Sequence, residues 1–220
     1  MKYAVCKAVT VGRACATSTT PHMGRDQQSR LYGHGLRRYN PTMSRTIGYH
    51  LVFSAYGLWL PGDERGHWST AWDEQIGLVQ PHTLHSRDPV RKRMAAERMS
   101  QPPVVFSPQM NDATADAIGR CAAASDWSIV AASVESTHTH RLVTYTLRDI
   151  NNTAKWLKDQ TTKAVHRGTP HAGPIWCKGR WRGFIFDPII WRNTVDYIEQ
   201  HNVRRGEDPR PYSFLVESDI

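Results

Sequence analysis

WSIVAASVESTHTHRLVTYT, residues 127–146, reads as two strands joined by a short polar turn at 135–137, because both halves are rich in Val, Ile, Thr and Tyr. The second strand carries His138 and His140. Residues two apart on a strand project from the same face, so both imidazoles can converge on one ion while Thr139 points into the opposite layer. A chain with eleven histidines often contains such a pair by chance, and two solvated strand histidines are the plain alternative. A functional site needs more donors from elsewhere.

Working outwards, IGYHLVFSAY at 47–56 has strand composition, and LPGDERGHWS ends it with Pro and two Gly. Residues 86–100 form a short charged helix candidate. Ser107 and Pro108 look like an N-cap and an N1 proline opening a helix to about Ser125, with Met110, Ala117, Cys121 and Ala124 on one side. After the strand pair come a helix from about Asp149 to His166 and a strand or hairpin in PIWCKGRWRGFIF. A last helix, opened by Asp187 and Pro188, runs to about Val203. The order β-α-β-β-α-β-α predicts an α+β fold, a ferredoxin-like split β-α-β sandwich with one additional C-terminal helix.

That last helix has two faces. Trp191, Val195 and Ile198 recur at i, i+4, i+7 and make a core stripe. Tyr197 lies roughly 120° away from Trp191, and Thr194, Tyr197, His201 and Arg204 share a second, polar face. An ordinary boundary tyrosine and a solvated helix-end histidine would show the same spacing.

The 220 residues carry a net charge of +8, which favours a polyanionic partner. Residues 1–42 hold seven Lys/Arg against one Asp, and 141–205 hold twelve against five Asp/Glu, so a basic surface near the histidine pair is expected in addition to a basic arm. The expected organisation is an arm at 1–42, disordered or a start-site artefact ahead of Met43, then a domain at 43–216 with an insertion at about 58–107, and a tail at 217–220. No apolar run approaches the roughly 18 residues of a membrane span. The four cysteines are scattered without a CxxC, which fits a reducing cytoplasm and gives no zinc or disulfide framework.

SIVAASVESTHTHRLV resembles the strand–turn–strand of the HUH endonucleases, and PIWCKGRWRGFIFDPIIWRNTVDYIEQHNVRRG resembles the nucleophile-bearing segment of the single-tyrosine transposases. The pattern is similar to that of the REP-associated tyrosine transposases, relatives of the insertion sequence two hundred type. It extends from about Ser44 to Phe214, where RPYSF resembles the family's closing aromatic segment. Three positions depart from the pattern: Thr139 and Arg141 stand where apolar residues are usual, and Asn202 where proline is common.

The resemblance implies cleavage and rejoining of single-stranded DNA through a 5′-phosphotyrosine. It implies Tyr197 as nucleophile, His138 and His140 as ligands of a divalent metal, Mg²⁺ or Mn²⁺, and His201 as a third ligand. The implied partner is single-stranded DNA containing a hairpin, with no membrane; a homodimer is left open. The implied location is a prokaryotic cytoplasm, with the nucleoid. The candidate phosphate contacts are Lys155, Lys158, Lys178, Arg180, Arg182, Arg204 and Arg205. Trp176, Trp181 and Trp191 can either stack unpaired bases or pack in the core. The alternative function is a non-catalytic or domesticated nucleic-acid-binding protein of the same fold. A two-histidine phosphoesterase needs two H-x-(S/T) motifs, and HWS at 67–69 supplies one.

Overall fold

The computed structural model describes residues 45–68, 84–179 and 181–218. The arm at 1–42 lies outside the described residues, as does part of the 58–107 insertion.

Four strands form one antiparallel sheet: β1 (Gly48–Ser54), β4 (Ile129–Val134), β5 (His138–Thr144) and β6 (Trp181–Ile185), in the order β4-β5-β1-β6. β2 (His67–Trp68) and β3 (Leu84–His85) form a separate two-residue pair, which the sequence reading did not anticipate. The helices are α1 (Pro89–Glu97), α2 (Pro108–Ala123), α3 (Ile150–Gly168) and α4 (Pro188–Val203). With the first strand between the third and fourth, this is the split β-α-β arrangement, and α4 is the additional helix. The fold is α+β, as expected.

Local chemistry places the helix starts. Ser107 accepts a hydrogen bond from the Met110 amide at 3.3 Å with Pro108 at the first position, and Asp187 accepts from the Ile189 amide at 2.7 Å ahead of Pro188. Each side-chain oxygen satisfies an amide that the helix cannot, while proline gives up none that was needed. At the other end of α2 one expectation fails: Ala124 caps the helix and is exposed, because the buried stripe ends at Cys121.

The sheet separates two cores. On one face, Leu51, Phe53, Ile129, Val134 and Val143 pack with Ile118 of α2 and Leu157 of α3. On the other, Val130, Ala131, Leu142 and Ile185 pack with Trp191 and Ile198 of α4. Strand alternation in β5 therefore sends Thr139, Arg141 and Val143 toward α2 and α3, and His138, His140 and Leu142 toward α4. Gly48 lets the Trp191 ring lie against the sheet, since a Cβ there would come within 2.2 Å of Cζ3.

Strand β4 is an edge strand, and the end of the chain occupies its outer side. The Val216 amide donates to Ile129 O at 3.0 Å, Asn202 Nδ2 to Ala132 O at 2.9 Å, and Arg205 Nη1 to Val134 O, while the Tyr212 hydroxyl accepts from the Val134 amide at 3.2 Å. An edge that would otherwise expose unpaired backbone is satisfied. Asn202, one of the three departures from the family pattern, makes one of these contacts.

Arg141, another departure, is fully buried. Its guanidinium carbon sits 3.7 Å from the centroid of the Phe53 ring and Nη2 donates to Thr139 Oγ1 at 2.6 Å. Nε and Nη1 have no hydrogen-bond partner among the described residues. Burial holds this arginine down at about 9 against a weak opposing pull from Cys121.

The loop at 58–66 is structured around buried Asp63, whose carboxylate accepts from Arg65 Nε at 2.7 Å and pairs with Lys92 at 3.1 Å. Arg65 also covers the Trp59 ring, and its Nη2 donates to Leu58 O at 2.5 Å.

Candidate active site

Three elements bring the candidate residues together. β5 delivers His138 and His140 on the α4 side of the sheet, and α4 delivers Tyr197 and His201 one turn apart. The tight β4–β5 turn, closed by the Glu135 amide donating to His138 O at 2.9 Å, brings in Glu135. One donor atom each from Glu135, His138, His140 and His201 lie within 4.8 Å of one another. The Tyr197 ring stands edge-on to the same imidazoles, with centroids 5.4 Å from His140 and 4.7 Å from His201.

Two members of this cluster escaped the sequence reading. In sequence Glu135 reads only as part of a polar turn, yet a two-residue turn makes it the neighbour of His138 across the hairpin. His50, in the middle of an otherwise apolar β1, is fully buried and its Nε2 lies 3.0 Å from His140 Nδ1. A histidine at an inward position of a buried strand was the available signal.

The hydrogen bonds at the ring nitrogens have a common pattern. His140 Nδ1 meets His50, His138 Nδ1 lies 2.8 Å from Thr137 Oγ1, and His201 Nδ1 lies 2.5 Å from Glu135 Oε1. The Nε2 atoms of His140 and His201 are buried with no hydrogen-bond partner among the described residues. Buried ring nitrogens left over in this way, beside a carboxylate, suit a cation, and imidazole and carboxylate are standard donors to divalent metals. The residues fit the metal that the resemblance implies.

Burial disfavours the charged form of the strand imidazoles. Burial lowers His140 well below the usual histidine range, and neighbouring His138, His50, His201 and Arg141 add to it. His50 is driven down to about 3, mainly by burial. At His138 burial outweighs the opposing pull of Glu135, with further lowering from His201, Arg65 and Arg205. Burial pushes the Glu135 carboxyl up, but the His201 hydrogen bond and the charges of His138 and Arg205 prevail and leave it below the ordinary value. The Tyr197 phenol is raised by burial and then by Glu135, against a lowering from Arg204.

The structure distributes the seven candidate cations. Lys155 is exposed on α3, in the layer across the sheet from the histidines. Lys158 on the same helix donates Nζ to Cys177 O and Gly179 O, each at 2.5 Å. Lys178 is exposed in the segment before β6, and Arg182 pairs in register with Leu51, on the α2/α3 side. Arg180 lies outside the described residues. Arg204 is exposed just beyond α4, whereas Arg205 is engaged by Val134 O, Asn202 Oδ1 and Glu207. Thr194, expected on the polar face with Tyr197, is buried and donates to Ile190 O at 2.7 Å.

Of the tryptophans, Trp191 is buried under the sheet, and Trp176 is buried with its indole N–H donating to Thr161 Oγ1 at 2.9 Å. Trp181, unlike these two, stands beside the site, with its ring centroid 4.8 Å from that of His50.

No protein-family model matches the chain, and no curated protein matches it. Among solved structures, a REP-associated tyrosine transposase bound to a REP hairpin is similar over 78% of this chain and 75% of its own, at 16% identity and a TM-score of 0.43. A protein from Deinococcus radiodurans R1, described as a candidate transposase, is similar over 75% of this chain and 98% of its own, at 15% identity and a TM-score of 0.33. Both similar proteins carry a transposase name. None of the described helices is long and apolar enough to cross a membrane.

Proposed function

We propose that this chain is a metal-dependent tyrosine transposase, a nickase and strand transferase acting on single-stranded DNA. The observation that carries this reading is the packing of the Tyr197 ring directly against His140 and His201, two members of a cluster with unpartnered, buried nitrogen donors. A boundary tyrosine serving only to cover the core would have no reason to stand over a cation-competent cluster.

In this reading His138, His140 and His201 hold a divalent ion, with Glu135 beside them. When bound, the ion supplies positive charge that polarises the scissile phosphate and offsets the charge of the attacked phosphorus centre. The imidazole-rich donor set favours Mn²⁺ over Mg²⁺, which prefers oxygen. Tyr197 attacks phosphorus: the new bond joins its phenolic oxygen to the 5′-phosphate, the bond to the 3′ oxygen breaks, the phenol loses its proton and the 3′ oxygen gains one. Burial raises the phenol further, so it starts protonated and its proton leaves as the bond to phosphorus forms. The phosphotyrosine ester keeps the bond energy, and a 3′-OH can reverse the step without an external energy source.

DNA contact is assigned to Arg204 nearest the tyrosine, with Lys155, Lys178 and Arg182 farther out. Lys158 and Arg205 serve to hold loops. Arg65 stands near enough to lower His138, but its guanidinium is already held by Asp63 and Leu58 O.

The test is a covalent-adduct gel with a single-stranded hairpin oligonucleotide and Mn²⁺. Wild-type protein should give a slowly migrating protein–DNA adduct, and Tyr197→Phe should bind the oligonucleotide equally well yet give none. Adducts that persist in Tyr197→Phe remove this tyrosine from the chemistry. Binding without adduct by the wild type favours a non-catalytic nucleic-acid-binding protein.

A further inference from the structure

A neutral imidazole has one N–H and one lone pair, and which nitrogen bears the proton is decided by what the other atoms around the ring can accept. An ionised carboxylate only accepts. His201 Nδ1, 2.5 Å from Glu135 Oε1, must therefore carry the proton, which turns the His201 Nε2 lone pair loose into the buried space where no donor among the described residues meets it. The same logic applies at His140. Its Nδ1 faces His50 Nε2 at 3.0 Å, one of the two must donate, and the His140 Nε2 is again buried and unpartnered. If His140 Nδ1 donates, its Nε2 lone pair points into the cluster; the reverse tautomer would bury an unpaired N–H beside His138 and His201.

We propose that Glu135 and His50 are positioning residues that lock His201 and His140 as Nδ1–H tautomers and so present their Nε2 lone pairs together to a metal ion. The proposal rests on the metal reading given above and assigns roles to two residues outside the histidine pair and the tyrosine helix. Glu135 comes from the end of β4 and His50 from β1, so the two ligands are held from opposite sides of β5. Each clamp reaches its ligand through an edge of the ring that cannot touch the ion. Partners of this kind orient a ligand and raise its basicity, and losing one typically lowers metal affinity about 10- to 100-fold.

Two measurements on the full chain test it. In the metal-free wild-type protein, long-range ¹H–¹⁵N spectra of the imidazoles should show His140 and His201 protonated at Nδ1; an Nε2–H form at either position overturns the assignment for that residue. This needs no variant and no metal. Titration calorimetry with Mn²⁺ should then show about 10- to 100-fold weaker binding for His50→Leu and for Glu135→Ala, with most of the affinity recovered in His50→Gln and Glu135→Gln, whose amide oxygens still accept from Nδ1–H.

Wild-type affinity in His50→Leu or Glu135→Ala refutes the clamp at that position. Glu135→Gln binding as weakly as Glu135→Ala refutes positioning in favour of direct ligation by the carboxylate. If His138→Ala/His140→Ala binds Mn²⁺ as the wild type does while the Nδ1–H tautomers are seen, the metal reading fails and the tautomer assignment stands alone.

Discussion

Asn202→Ala should be among the most damaging single changes outside the cores. The Asn202 side chain is fully buried; Nδ2 donates to Ala132 O and to Pro209 O, both at 2.9 Å, and Oδ1 accepts from Arg205 Nη2 at 2.9 Å. Truncation removes three hydrogen bonds, each worth about 1 kcal/mol net, and leaves the carbonyl of buried Ala132 unpaired on the outer side of β4, where one orphaned group costs about 1–3 kcal/mol. Arg205 loses one of its anchors as well. Because these terms overlap, a total of about 3 kcal/mol is expected, which lowers Tm by about 6–12 °C for a chain of this size. Urea titration followed by tryptophan fluorescence, with a thermal scan, measures it. A loss below about 1 kcal/mol with an unchanged denaturant slope would show that water replaces the amide at little cost and that the edge does not depend on it.

Gly48→Ala should destabilise by about 2–3 kcal/mol or more, since the added methyl meets Trp191 Cζ3 at 2.2 Å and Val143 O at 2.4 Å; an unchanged melting curve would contradict the close approach. Arg141→Met should stabilise by about 1–3 kcal/mol, because a buried charge with two unpaired nitrogens is replaced by an apolar chain of similar length, and chemical denaturation showing a loss would mean that the Phe53 and Thr139 contacts outweigh desolvation. For Asp63, burial acts to raise the carboxyl while hydrogen bonds from Arg65 and Lys92 prevail and hold it at about 2, below the ordinary 3.8. A depressed folded-state value stabilises above the unfolded pKa and is lost as pH falls through the folded one, so Asp63→Asn should cost about 1–2 kcal/mol at pH 6, allowing for its exposed partners, and only a small part of that near pH 2. Equal differences at the two pH values would remove the ionised carboxylate from the loop's stability.

What could be read from the sequence was what local chemistry controls. Capping residues with a following proline marked the starts of α2 and α4, and the period of two in β5 put His138 and His140 on one face. The period of α4 separated Trp191 and Ile198 from Tyr197 and His201, but it misplaced Thr194, whose hydroxyl is spent inside its own helix and lets the residue join the core. Strand register was not legible, and it is register that puts His50 diagonally beside His140 and makes β4 an edge. Nor does a count of lysines and arginines reveal which are engaged by carbonyl oxygens. Lys158 and Arg205 looked like free charge and prove to be brackets between segments far apart in the chain.

The placement of Tyr197 and His201 on successive turns of α4 has a mechanical corollary. A helix of this length moves as a stiff rod, so a slide, roll or tilt that withdraws the hydroxyl also withdraws the imidazole. Under the proposed function, the attacking oxygen and one nitrogen of the ion's shell would therefore reach or leave the sheet together.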